Sequence, residues 1–108
     1  MTIDEFLLAR LDELEAEAHR QEWLVTYDYY DTGGELPEML AVFGGPRYVL
    51  AECAAKRAIV EHCTRAVRTA GDPPGIDLND VPALEHVLRL FVQPFAEHPD
   101  FDPEWKTP

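Results

Sequence analysis

Ile3, Leu7, Leu11, Leu14 and Ala18 recur every three or four positions with charged residues between them. That is the period of an amphipathic helix burying one stripe, and it predicts a first helix over residues 2–21. Thr2 and Glu5 stand three apart at its start, so the threonine hydroxyl and the glutamate carboxylate can satisfy end amides reciprocally. The pattern then changes. Residues 23–30, Trp-Leu-Val-Thr-Tyr-Asp-Tyr-Tyr, are rich in β-branched and aromatic side chains, which suit a pleated, half-buried surface. Asp31-Thr32-Gly33-Gly34 follows as a turn signal, and residues 39–43 form a second short apolar run. Together they predict a β-hairpin, its second strand shortened or set at an edge by Pro37. Such a hairpin is marginal alone in water, so one face is expected against the helices.

Gly44-Gly45-Pro46 breaks the chain and opens a long helix over residues 46–70, ended by Gly71. Its stripe is Val49, Cys53, Val60, Cys63 and Val67, interrupted by Lys56. A lysine placed so is expected to lay its stem along the stripe and pair with an acid from a neighbouring element. Residues 71–79, with Pro73-Pro74-Gly75, read as the loop most free to move. A third helix is expected over residues 80–93, with Leu84, Val87, Leu88 and Phe91 on one side and Pro94 ending or kinking it. Residues 93–108 space Pro94, Pro99 and Pro103 among Phe95, Phe101 and Trp105, which predicts an extended tail held down by its aromatics. The expected fold is a predominantly helical α+β single domain, residues 1–108: three helices packed with one β-hairpin, in the order helix–hairpin–helix–helix.

A chain of 108 residues should bury a sizeable core without disulfide or metal staples. Its two cysteines fall on one predicted helix, about 15 Å apart at the helical rise, against a limit of ~7 Å for a disulfide. They are read as small buried hydrophobes. No apolar run approaches the ~18 residues of a membrane span, and Met1-Thr2-Ile3-Asp4-Glu5 is acidic where a secretory signal is basic. A cytoplasmic location, with no membrane partner, is the expectation.

Charge divides the chain in three. The net charge is −12, made of −9 over residues 1–45, +3 over 46–70 and −6 over 71–108. A balance this negative repels phosphates and disfavours direct nucleic-acid binding. Catalytic patterns are sparse. The sequence contains no serine, which excludes serine-hydrolase schemes, and it has no HxxxH, HExxH or CxxC spacing. Three histidines follow a glutamate directly (His62, His86 and His98), but neighbours on a helix point in different directions and make poor ligand pairs. Gly33-Gly34 and Gly44-Gly45 match neither the dinucleotide nor the Walker pattern and read as turns. No catalytic residue, metal site or cofactor is assigned. The residues best suited to recognition are Phe95, His98, Phe101 and Trp105 of the tail, together with Lys56. Asp12, Glu13, Glu15 and Glu17 form an acidic face on the first helix.

Three stretches carry a family resemblance. They are the opening Met-Thr-Ile-Asp-Glu-Phe-Leu-Leu-Ala-Arg-Leu; Val49-Leu50-Ala51-Glu52 with Ala55-Lys56-Arg57 and Ile59-Val60-Glu61; and Pro94-Phe95-Ala96-Glu97-His98-Pro99-Asp100-Phe101 with Glu104-Trp105. In that order they resemble a family of small uncharacterised proteins, a domain of unknown function, encoded by actinomycetes and their bacteriophages. The resemblance implies a bacterial or phage-infected cytoplasm and no particular activity. Members of that family often carry histidines before the central helix and cysteines before the last. This chain has Ala41-Val42-Phe43-Gly44-Gly45 at the first place and no Cys or His over 71–81 at the second, so a metal function borrowed from the family is not implied for it.

The function expected from the residues is that of a small acidic, non-enzymatic accessory protein acting by protein–protein contact. Its partner is a protein, with homodimerisation through a helix face a further expectation. The alternative is an anionic mimic that occupies the nucleic-acid site of a host enzyme, motivated by the −9 of residues 1–45. A small metal-dependent enzyme ranks third.

Overall fold

The computed structural model of the chain describes residues 1–31 and 45–107, with side chains described for 1–23 and 45–107. Three α-helices follow in chain order: α1 (Ile3–Asp31), α2 (Gly45–Arg68) and α3 (Val81–Val92). The chain divides into two compact units, one formed by Met1–Ala9 with Arg57–Pro108 and the other by Arg10–Lys56.

α1 begins where its sequence places it. The Glu5 amide donates to Thr2 Oγ1 at 3.4 Å, which satisfies one of the amides that a helix start leaves open, and the Phe6 amide makes the first regular helical bond to the Thr2 carbonyl at 3.0 Å. Its end does not follow the sequence reading. The backbone of residues 23–31 continues α1 as helix, so the first strand of the expected hairpin is absent. Among the described residues there is no β-strand, and the fold is helical rather than α+β. The second expected strand, residues 39–43, lies outside the described residues. The physical reason is that β propensity is weak and dependent on context. An already formed helix gains one hydrogen bond per added residue without a new nucleation step, and the β-branched and aromatic residues cost only a few tenths of a kcal/mol each, to about 0.7, relative to alanine.

In the first unit each helix contributes a pair to one core. Phe6 and Leu7 come from α1, Val60 and Cys63 from α2, and Leu88 and Val92 from α3. Leu84, Val87 and Phe91 pack against this cluster half-buried, which is the α3 stripe read from the sequence. Val92, wholly buried, extends it. In the second unit Leu11, Ala18 and Cys53 are buried.

α2 gives way to a closed loop. The Thr69 amide and hydroxyl both donate to the Arg65 carbonyl at 3.0 Å. Gly71, at φ +86°, sends its amide to the Ile76 carbonyl at 2.9 Å, and the Gly75 amide donates to Asp72. Gly75 sits so close to α2 that a Cβ there would lie 2.3 Å from the Thr69 carbonyl oxygen. A short 3-10 turn, Leu78–Asp80, capped by Asp77 Oδ1 on the Asn79 amide (2.9 Å), leads into α3. Pro94 then ends α3, and the chain passes into a 3-10 turn over Gln93–Phe95.

Candidate functional site

The prolines of residues 93–108 predict an extended tail, but the backbone runs through successive turns. The amides of Ala96, His98 and Phe101 each donate to the carbonyl three residues earlier, at 2.9–3.1 Å. A last 3-10 turn spans Pro103–Trp105, capped by Asp102 Oδ1 accepting from the Glu104 amide at 3.0 Å. The turns curl four rings round Phe6. Its ring centroid lies 6.2 Å from Phe95, 5.5 Å from His98, 6.2 Å from Phe101 and 5.1 Å from Trp105. Three of these pairs meet edge to face and Trp105 is tilted, the arrangements that suit the ring quadrupoles. Phe101 and Trp105 also meet each other edge to face, at 5.6 Å.

Gln93 fastens the end of this segment. Its amide nitrogen donates to the Trp105 carbonyl at 2.7 Å and to the Arg89 carbonyl at 2.8 Å, while its Oε1 accepts from the Thr107 amide at 3.3 Å. One side chain therefore satisfies a carbonyl and an amide two residues apart, as a neighbouring strand would. His98 Nδ1 accepts from the Asp100 amide at 3.0 Å, which requires that nitrogen to be unprotonated.

The four tail residues singled out from the sequence are thus brought together, with all four half-buried. Phe6 at their centre and Gln93 at their edge escaped the sequence reading. Phe6 lies one position beside the stripe that Ile3 and Leu7 announce, and an aromatic residue there was the available signal. Gln93 carried none, because its role depends on residues 12 and 14 positions away.

Lys56 is not part of this group. It lies in the other unit, and its ammonium meets Glu52 Oε1 at 2.8 Å. Its partner is therefore one turn back on its own helix, not an acid of a neighbouring element. The four carboxylates of residues 12–17 do not share one face either, since helical geometry distributes positions 12, 13, 15 and 17 around the axis. Glu13 pairs with the buried Arg10 at 2.8 Å. Glu17 accepts from Arg20 Nε at 3.0 Å and from Gln21 at 3.2 Å. The Arg20 guanidinium, helped by the Gln21 amide, holds the Glu17 carboxyl below its usual range.

Cys53 and Cys63 are both buried and not disulfide-bonded, and burial pushes the Cys63 thiol above its ordinary pKa. His19, His62 and His86 are exposed. No three His, Cys, Asp or Glu residues among those described are grouped to hold a metal ion. An open groove between α1 and α2 is lined by Asp4, Leu8, Glu61, Thr64, Arg65 and Arg68. Two acids face two arginines there, so it presents no single sign to a ligand. No described helix is long and apolar enough to cross a membrane.

No curated protein and no solved structure matches the chain. Residues 1–107, by contrast, match the model of a family of unknown function, DUF6221, and the chain belongs to that family.

Proposed function

We propose that this protein is a non-enzymatic accessory protein acting by protein–protein contact. The observation that carries the reading is a pair of exposed aromatics in the unit Arg10–Lys56: Trp23 is 65% and Tyr48 60% exposed. Trp23 follows Glu22 and Tyr48 follows Arg47, and Arg47 Nε lies 3.9 Å from Glu22 Oε1. That ion pair joins α1 to α2, with each aromatic next to one of its partners in sequence. Tryptophan, tyrosine and arginine are the residue types enriched where proteins bind one another.

The test is an affinity pull-down of the tagged chain from actinomycete lysate, the setting implied by the sequence resemblance, with a nuclease-treated control. The expected result is one stoichiometric protein, retained after nuclease and lost with the double variant Trp23→Ala/Tyr48→Ala. Recovery of the bait alone would overturn the reading. Light scattering on the purified chain checks the dimer, and a monomer at all concentrations removes that part.

The anionic-mimic reading keeps the −9 of residues 1–45 in its favour. Two of its four proposed carboxylates are engaged by arginines of their own helix, which weakens the imitation of a phosphate line. A nucleic-acid-binding enzyme as the captured partner, released by neutralising Asp12, Glu13, Glu15 and Glu17 together, would favour it.

A further inference from the structure

The groove between α1 and α2 lies wholly within the first unit, with Asp4 and Leu8 on one wall and Glu61, Thr64, Arg65 and Arg68 on the other. It is open and about 450 Å³ in volume. Helix ends account for three of its charges taken singly. Asp4 stands in the first turn of α1, and Arg65 and Arg68 in the last turn of α2, where the macrodipole favours each sign. They do not account for how these charges are left. Glu61 and Arg65 stand four apart in the order that favours pairing, and the same spacing closes on this helix at Glu52 and Lys56, 2.8 Å apart. Yet among the described residues none of Asp4, Glu61, Arg65 and Arg68 has an opposite charge within 4.0 Å. Thr64 Oγ1, on the same wall, is shut off from solvent and has no hydrogen-bond partner among the described residues.

We propose that this groove binds a small zwitterion of dipeptide size, its ammonium at Asp4 and Glu61 and its carboxylate at Arg65 and Arg68. A ligand of one sign would meet two repelling charges for two attracting ones, whereas a zwitterion laid this way is attracted at both ends. The planar guanidinium fork suits a carboxylate. Glu61 and Arg68 are seven residues apart, about 10 Å along the helix axis. An extended dipeptide covers about 7 Å of that, and the two ion pairs fill the rest, so a single amino acid is too short to reach both. Leu8 offers the one apolar wall for a ligand side chain. Threonine in a helix has two open χ1 rotamers, so the Thr64 hydroxyl can turn to a polar atom of the ligand and gain the hydrogen bond it lacks. This groove lies outside the unit that carries Trp23 and Tyr48, and the two readings can fail separately.

The experiment titrates the full chain, labelled with nitrogen-15, with the dipeptide alanyl-alanine and follows its amide resonances. The expected result is a saturable shift at Thr64, Arg65 and Arg68 with a Kd of about 1 mM. The N-acetylated, C-amidated dipeptide, which lacks both charges, is expected to leave them in place. Arg65→Gln/Arg68→Gln changes only exposed side chains and should weaken binding at least tenfold. Thr64→Val separates a ligand contact from a structural one: it should weaken binding while leaving the melting temperature of the free chain unchanged or higher. No saturable shift on the wild-type chain, an equal shift with the blocked dipeptide, or undiminished binding by the double arginine variant would overturn the proposal.

Discussion

Phe6 touches more of the first unit than any sequence pattern announces. It is fully buried and faces Phe95, His98, Phe101 and Trp105, so truncation would leave a cavity that four rings cannot all collapse into. Phe6→Ala is expected to cost about 3–5 kcal/mol, read as a lower urea midpoint. Cys63 gives a different signature. Burial raises its thiol pKa, so the folded chain keeps that proton to higher pH than the unfolded one. The stability this contributes is complete below the unfolded thiol value of about 8.5 and is lost as pH rises through the raised folded value. The urea midpoint should therefore fall above about pH 8.5, with a shallower slope in Cys63→Ala. An equal slope in the two chains would assign the alkaline loss to other groups. At this scale the buried, unbridged cysteines were legible, because their spacing on one helix excludes a mutual disulfide. The partner of Lys56 was not, since an acid one turn away and an acid on another element satisfy the same pattern.

Among the elements, α1 separates the two readings most sharply. Were residues 23–30 an edge strand, a proline could be accommodated there. As the interior of a helix they cannot accept one. Thr26→Pro is expected to destabilise the chain by about 3 kcal/mol or more and to reduce its helical circular dichroism. A variant with unchanged signal and melting would restore the strand. Gly75 tests the loop after α2. Its missing Cβ leaves room for the Thr69 carbonyl at 2.3 Å, and the obstacle is backbone that no rotamer change can move. Gly75→Ala should cost about 1–3 kcal/mol, the range for overpacked sites, while alanine at the exposed neighbour Pro74 should cost less. Thermal melts of the two variants make the comparison. The starts and ends of α2 and α3 were legible from Gly44-Gly45-Pro46, Gly71 and Pro94, because those residues punctuate by local sterics.

For the molecule as a whole, a net charge of −12 favours expansion through self-repulsion. Salt screens it, with a Debye length of about 30 Å at 0.01 M falling to about 8 Å at 0.15 M. The melting temperature should therefore rise by a few degrees, roughly 1 kcal/mol of stability for a chain of this size, between those salt concentrations. No change would mean that local pairs such as Glu17 with Arg20 and Glu52 with Lys56 already absorb most of the repulsion.

The sequence by itself determined the helical stripes, save for Leu14, which is 38% exposed, together with the cap at Thr2, the breaks at glycine and proline, and the family. Each depends on residues within a few positions of one another, or on the whole string of letters. Tertiary structure alone decided that Phe6 gathers four distant rings and that Gln93 holds Trp105 and Thr107. The difference is physical. Spacing fixes what one segment can bury, but β-branched and aromatic residues differ so little in helix cost that a formed helix can run on through them. A ring cage or a glutamine clamp is defined by contacts, and those exist only once separated segments have met.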